Sequence, residues 1–342
     1  MKTRVVITGL GVVTPIGIGV AAFWKAALAG RSGVSSLTDV EGFPIERYRC
    51  RVAARVRDFV PSEHLDGAAE RLDRHAQFAL VAAQEAIRDA DLRMDRVREE
   101  RVGVVAGAGM GAMTLGEREL TKLYETQRPD RVHPNFIPTI TLNSVSGLVA
   151  LAHHAKGPNL TVSTACSSSA HAIGVALGLL RAGQADAIIM VGTDATITPL
   201  AFAGFASLRA LSTSFNDTPE QASRPFDRAR DGFVMGEGAG ALILETLSHA
   251  RRRRARIHAE VAGYGATSEA YHMVIPKEDG VESARTMRIA LDDAAIAPAQ
   301  VDYINAHATA TPVGDPVETR AIRRVLKRRA ERVLISATKS LV

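Results

Sequence analysis

The chain is poor in cysteine, with only Cys50 and Cys166 in 342 residues. That excludes a disulfide framework and leaves no second pair for a zinc site, so the one thiol chemistry still open is a lone reactive cysteine. Long hydrophobic runs are also missing. Stretches such as Gly174 to Leu180 fall far short of the ~18 apolar residues a membrane helix needs, and no basic segment leads into an apolar run at the N-terminus. The expected location is therefore cytoplasmic, with no membrane segment. A strong excess of one charge is absent too: 42 Lys and Arg against 37 Asp and Glu leave a net charge of +5. Such a surplus does not argue for nucleic acid, but it suits a basic dock for an acidic partner. Arg251 to Arg254 with Arg256 stands out as a dense basic cluster and reads as a solvated helix end.

What is present is the balance of a soluble globular protein, 46% hydrophobic and 23% charged, which excludes disorder, collagen and coiled coil. The length allows one large domain or two halves. A β-branched run, Val5 to Thr8, leads into Gly9-Leu10-Gly11 and reads as a buried strand entering a tight turn. Further strands are expected at Val102 to Ala106, Leu160 to Ser163, Ala187 to Val191, Ala241 to Leu244, Ala259 to Gly263, Tyr303 to Asn305 and Val333 to Ser336. Helical spacing covers Gln77 to Ala90, Ser169 to Ala182, Val281 to Ala295 and Pro316 to Arg328. This alternation predicts an α/β fold with mixed or parallel sheets. It also repeats: Val5 to Gly11 has a counterpart in Ala259 to Gly265, and Thr161 to Cys166 then matches Leu334 to Lys339. The first unit runs on to Glu245, whereas little chain follows Lys339, so the second half is expected to be unfinished. The predicted division is 1–250 and 251–342.

Two glycine patterns, Gly9-x-Gly11 and Gly107-x-Gly109-x-Gly111, approach a dinucleotide fingerprint without completing it, because Thr14 and Ala112 stand where the last glycine belongs. They read as tight strand-to-helix turns. Cys166 sits where a strand ends and a helix rich in small residues begins; unpaired N–H groups and the helix dipole favour negative charge there. Small neighbours let another molecule approach, which favours a nucleophile over a buried structural thiol, the expected role of Cys50. A cysteine nucleophile needs a partner for protons or charge. His307, just past the strand at Asn305 and followed by Thr309 and Thr311, looks like a pocket edge. His153, His154, His249 and His258 have no such setting, and His171 lies more than a turn beyond Cys166.

On its motifs the chain resembles an elongating, type II β-ketoacyl-[acyl carrier protein] synthase over essentially its whole length. The matching stretches are Val5 to Pro15, Ser163-Thr164-Ala165-Cys166, Ser223 to Asp227 running on through Arg230 to Gly240, Asn305-Ala306-His307 and Ser336-Ala337-Thr338-Lys339-Ser340. The resemblance implies the thiolase-like fold, an α/β architecture of duplicated halves whose two mixed sheets sandwich central helices, usually as a homodimer. It implies a decarboxylating Claisen condensation between an acyl group on the enzyme and malonyl-[acyl carrier protein]. Cys166 would carry the acyl thioester, His307 would assist decarboxylation and stabilise the enolate, and Lys339 would organise the charges around them. Thr309 and Thr311 match the pair that contacts pantetheine, Phe233 an aromatic beside the active site, and Met110 a residue lining the acyl pocket. Asp315 and Glu318 match a supporting polar network, with exposed helix-cap carboxylates as the plainer alternative. No cofactor or metal is implied beyond the phosphopantetheine arm of the acyl carrier protein. Arg71, Arg74 and Arg209 are expected docking cations.

Departures are as informative. Ala308 replaces the usual glycine after the histidine, which matters if that backbone needs positive φ, and Ala310 replaces the usual serine. The family's second active-site histidine, its glycine-rich gating segment and its last strands are expected beyond Val342. The corresponding expectation is a truncated synthase with impaired condensation, an uncovered helix after Cys166 and an unpaired sheet edge, in which acylation of Cys166 survives in part. A non-catalytic synthase-like partner that shapes chain length is the alternative function. The presence of Cys166 speaks against it. A starter or thiolase-type enzyme using coenzyme A thioesters is a weaker third. Acyl chain length, and fatty acid against polyketide duty, are not legible in the sequence.

Overall fold

The β-branched runs form strands and the spaced apolar segments form helices in a computed structural model that describes residues 2–38 and 43–342. In chain order the strands are β1 (Val5–Thr14), β2 (Gly17–Ile18), β3 (Val34–Ser36), β4 (Val52–Ala54), β5 (Val102–Gly107), β6 (Asn159–Val162), β7 (Ala187–Asp194), β8 (Gly238–Thr246), β9 (Ala259–Glu260), β10 (Tyr303–Asn305) and β11 (Leu334–Ser336). The helices are α1 (Val20–Leu28), α2 (Arg74–Asp89), α3 (Met113–Thr126), α4 (Phe136–Ile140), α5 (Ser144–Ala152), α6 (Ser168–Arg181), α7 (Pro199–Ser207), α8 (Leu247–Arg252), α9 (Val281–Ala294) and α10 (Gly314–Leu326). Among the described residues no helix is long and apolar enough to cross a membrane.

The chain separates into two compact units: residues 1–28, 55–202 and 236–261 form the first, and residues 29–54, 203–235 and 262–342 the second. These units cut across the linear division at residue 250. Segment 29–54 joins the second unit through specific bonds: Asn216 accepts from the Arg51 N–H and donates to the Arg49 carbonyl, and the Gly33 N–H bonds to the Leu341 carbonyl at 2.8 Å.

In the first unit a seven-stranded mixed sheet has the order β2-β1-β8-β7-β5-β6, with β9 also on β1. Strands β7, β5 and β6 run parallel, while β8 is antiparallel to both β7 and β1. Strand alternation sorts the side chains onto two faces. Val104, Ala106, Ile189, Val191, Ala241 and Ile243 join one core with α2 and α5. Residues of the opposite face, Gly107 and Gly192, lie under the start of α6: a Cβ on Gly107 would stand 2.6 Å from the Ser168 carbonyl oxygen, and one on Gly192 would stand 2.2 Å from Ser169 Oγ. Glycine at both positions is what lets α6 settle onto the sheet.

Gly9 and Gly11 do not make the expected turn. They lie inside the long strand β1, which runs to Thr14 with a bulge between Ile7 and Gly9. Their role is close approach, since a Cβ on either would fall 2.1 Å and 1.9 Å from the α2 carbonyl oxygens of Ala86 and Ala82. The second unit repeats this arrangement. Cβ atoms on Gly263 and Gly265 would fall 2.3 Å from the α9 carbonyl oxygens of Ala290 and Thr286. The residue between the glycines repeats as well: Leu10 N–H bonds to Asp89 at 2.9 Å and Tyr264 N–H to Asp293 at 3.0 Å. Each unit therefore contains the same joint between an extended segment and a helix. The strand expected at Ala259 to Gly263 is corrected: only Ala259–Glu260 is a strand, and it belongs to the first unit, paired with Val6 and Ile7 and tied by an Arg4–Glu260 ion pair.

The second unit holds the antiparallel pair β3–β4 and the parallel pair β10–β11. Helices α9 and α10 pack through Ala284, Ala321, Ile322, Val325 and Leu326. Strands β10 and β11 keep Tyr303, Leu334 and Ile335 exposed, and β11 has no second strand partner among the described residues.

Candidate active site

The two parallel pairs do the same work in each unit, delivering a loop at the carboxyl ends of the strands, where α/β proteins place their chemistry. In the first unit β6 ends at Val162 and the chain turns through Ala165, held at φ +52°, into a short helical turn and then α6. Cys166 sits on that turn and is exposed, whereas Cys50 is buried and burial pushes its thiol up to about 11. Ser168 anchors the turn: its hydroxyl accepts from the Thr164 N–H at 2.9 Å and donates to the Ala165 carbonyl at 2.7 Å. A left-handed alanine immediately before the thiol is local strain held by its surroundings, the kind found where a side chain must be presented.

Met110 lies in the loop after β5 and is 38% exposed. The glycine run there is not an empty anion cradle. Asp194, at the end of β7, places its carboxylate in it and accepts from the N–H groups of Gly109, Met110 and Gly111 at 2.8, 3.0 and 3.4 Å. A phosphate would have to displace a carboxylate the protein supplies itself. Asp194 was not singled out from sequence; the signal was an Asp closing an apolar strand opposite a glycine-rich loop.

In the second unit β10 and β11 are in register with Asn305 opposite Ser336, so the residues following both strands emerge at one edge. His307 and Lys339 are those residues. Lys339 Nζ lies 3.5 Å from the carbonyl of Ala306, and Asn305 Oδ1 accepts from the Thr338 hydroxyl at 3.2 Å. The His307 pKa is held below the usual imidazole value, first by desolvation from the protein around it and next by the Lys339 ammonium. The residue keeps surface access, so this desolvation is partial. A neutral imidazole results, able to donate a hydrogen bond without first losing a proton.

Glu318, half-buried on α10, accepts from the backbone N–H groups of His307 and Ala308 at 2.7 and 2.8 Å. It fixes the loop that carries the histidine. Asp315 is 1% exposed; it accepts from the Phe226 N–H at 2.8 Å and lies 3.5 Å from Arg230 Nε. Arg230 in turn donates to the carbonyls of Thr311 and Pro312. Neither carboxylate is a solvent-facing cap, and the network reading holds in its structural sense. The Thr309 and Thr311 hydroxyls are 3.3 Å apart, and Thr311 accepts from the Gly314 N–H at the start of α10. Phe233 stacks edge-on against Phe205 with ring centres 5.4 Å apart. The backbone question raised by Ala308 is answered: Ala308 and Ala310 stand at φ +37° and +63°.

Several expectations need correction. Arg74 is not free for docking. It donates to Glu237 at 2.8 Å and to the Val56 carbonyl, with its guanidinium 4.7 Å from the Phe78 ring centre. Arg71 and Arg209 are exposed. The basic run after α8 is not wholly solvated, because Arg253 turns in to the fully buried Glu245 and to the carbonyls of Ala90 and Asp91. His249 and His258 are structural, bonded to Glu245 and Asp89.

Comparison with known proteins agrees with this arrangement. The family model "Beta-ketoacyl synthase, N-terminal domain" matches residues 2–250 and "Beta-ketoacyl synthase, C-terminal domain" matches residues 258–342. The 3-oxoacyl-[acyl-carrier-protein] synthase 2 of Coxiella burnetii is 45% identical over 99% of this chain and 81% of its own length. Among solved structures, a type II PKS acyl-carrier protein in complex with its ketosynthase bound to the hexaketide matches with TM-score 0.91 and 35% identity, over 100% of this chain and 82% of that one. The ishigamide ketosynthase/chain length factor matches with TM-score 0.88 and 33% identity, over 100% of this chain and 81% of that one. With an accessible cysteine at a helix start, a neutral histidine beside a lysine and both family models matched in order, the chain belongs to the β-ketoacyl synthase family.

Proposed function

We propose that this chain is a 3-oxoacyl-[acyl carrier protein] synthase, an acyltransferase of fatty acid or polyketide assembly. The Cys166 thiolate attacks the carbonyl of an acyl thioester, and the pantetheine thiolate leaves. Malonyl on the carrier arm loses CO2, the electrons of the broken C–C bond form an enolate, and that carbanion attacks the acyl carbonyl on Cys166. The cysteine thiolate departs and a 3-oxoacyl thioester remains on the carrier. His307 donates from Nε2 to the enolate oxygen as charge develops. Lys339 keeps His307 neutral and adds positive potential. Thr309 and Thr311 hold the pantetheine arm, Glu318 and Asp315 hold the loop, and Met110 and Phe233 border the acyl chain.

The observation that carries the reading is an exposed thiol on a strained helix start in a protein that also keeps a histidine neutral beside a lysine. No resident cofactor is needed, since the phosphopantetheine arm arrives with the substrate. A cytoplasmic setting and a homodimer belong to the same reading; β6 is an open sheet edge with Leu160 44% exposed, a surface that a second strand can cover.

The test is mass spectrometry of the chain incubated with labelled acyl carrier protein, with Cys166→Ala as control, together with CO2 release from malonyl carrier protein. Label confined to Cys166, and CO2 release lost in His307→Ala, are the expected results. A folded chain that takes no label at Cys166 overturns the enzyme reading and favours the non-catalytic partner. Light scattering in solution decides the dimer.

A further inference from the structure

The sequence reading singled out Arg251 to Arg256 and passed over a denser stretch. Residues 320–332 carry seven cations, Arg320, Arg323, Arg324, Lys327, Arg328, Arg329 and Arg332, against one carboxylate, Glu331. Without those residues the chain, net +5, would be net negative. In the fold this stretch is the last two turns of α10 and the short turn after it. Ile322, Val325 and Leu326 face inward, and all the cations except the half-buried Arg329 are exposed.

The charge is not neutralised locally. Among the described residues only Arg329 forms an ion pair, with Asp302; Arg320 and Arg324 donate to the backbone carbonyls of Glu278 and Asp279 instead. Arg320 and Arg324, Arg323 and Lys327, and Arg324 and Arg328 are each four apart, and such like-charge pairs destabilise a helix by about 0.2–0.5 kcal/mol apiece. Favourable dipole interaction at the helix C-terminus offsets part of that for the last turn only. At its other end the same helix holds His307 through Glu318, and α10 is about 20 Å long, a distance an extended phosphopantetheine arm can bridge. Beside its first turns a cavity of about 400 Å³ opens between Phe226 and Arg230, with Arg320 and Arg323 on its wall.

We propose that the exposed basic face of α10 docks the acidic carrier protein whose arm delivers malonyl to His307. The proposal rests on the condensation reading, which supplies the partner; the surface itself differs from Arg71 and Arg209. Exposed Leu334, Ile335 and Tyr303 on the adjoining strands favour a protein surface over a phosphate backbone, since they offer apolar contact beside the charge.

Binding of malonyl carrier protein to the whole chain is measured by calorimetry for the wild type and for Arg323→Glu/Arg324→Glu/Arg328→Glu, with circular dichroism confirming the fold. The reversal variant is expected to bind about tenfold or more weakly, and wild-type binding to weaken as salt rises. A second variant with lysine at the same three positions is expected to stay within about threefold of wild type. Decarboxylation of malonyl-pantetheine, which has no carrier protein, is run alongside and is expected to be equal in all three. Equal carrier affinity in the wild type and the reversal variant overturns the docking face and leaves the condensation reading standing. Loss of malonyl-pantetheine turnover in the reversal variant also overturns it, by showing general damage. Tighter binding of a 20-base-pair duplex or of phosphatidylglycerol vesicles than of carrier protein overturns it in favour of nucleic acid or membrane. Turnover of neither thioester by the wild type counts against the condensation reading, while the affinities still decide the docking face.

Discussion

At the scale of single residues, the site is held by backbone strain and by one shared charge. Ala308 carries a Cβ at positive φ, a conformation in which glycine is the easier residue. Ala308→Gly is expected to raise stability by about 1 kcal/mol, because relief of the left-handed strain outweighs the added freedom of the unfolded chain. Ala306→Gly, at a buried position of ordinary φ, is expected to lower stability in the same denaturant titration. The charge is that of Lys339, which together with desolvation holds His307 below its usual pKa. Lys339→Met removes the ammonium, so the His307 pKa is expected to rise. The proton signal of His307 in an NMR titration would then move at higher pH than in the wild type. The acid limb of decarboxylation would shift the same way, because protonation removes the neutral donor. No upward move would mean that Lys339 acts on the substrate alone. These residues were legible as candidates because they occur in short ordered motifs. The bonds from Glu318 to two N–H groups and the Asp194 carboxylate in the glycine loop were not, since they join positions far apart in sequence.

At the scale of elements, the duplicated joint is the feature that sequence and structure share most closely. Gly9 and Gly11 on α2, and Gly263 and Gly265 on α9, stand where any Cβ would meet helix backbone. Gly265→Ala is expected to cost roughly 1–3 kcal/mol through overpacking, and Gly11→Ala a similar amount, with Gly30→Ala as the contrasting change in open space. Gly30 sits at φ +65°, so its smaller loss is conformational alone. Equal, negligible losses at Gly11 and Gly265 would contradict the close approach. The helices expected at Gln77 to Ala90, Ser169 to Ala182 and Val281 to Ala295 match α2, α6 and α9 closely, because apolar spacing reports a buried face directly. Helices α1, α3, α5 and α7 were not anticipated. The mixed composition of α1 and α3 and the nearly all-apolar α7 give weak periodic contrast.

At the scale of the whole molecule, buried charge sets the response to acid. Burial alone would raise the Glu245 carboxyl, but bonds from Arg253, His249 and Thr8 outweigh it and hold it at about 2. A carboxyl depressed from its usual 4.5 to about 2 contributes on the order of 3 kcal/mol above its unfolded pKa. That stability is lost as pH falls from about 4.5 towards 2. Glu245→Gln is therefore expected to be less stable at neutral pH and to lose less on acidification, as read by urea midpoints at pH 7 and pH 3. Parallel midpoints for the two proteins across that range would assign no such role to the buried cluster. Its members come from β1, β8 and α8, and Arg253 continues to the carbonyls closing α2, so one charge ties four elements together.

The sequence by itself determined the class of fold, the internal repeat, the family and the identity of the reactive thiol and histidine. Those properties are written in local patterns: strand and helix periodicity, glycine spacing and motifs a few residues long. Only the tertiary structure decided which carboxylates are buried, that Arg74 and Arg253 are spent on structure, and that segments 29–54 and 203–235 pack with the C-terminal part of the chain. Each of these depends on contacts between residues distant in sequence. Whether a charge is solvated, paired or desolvated follows from the fold around it and not from its neighbours along the chain.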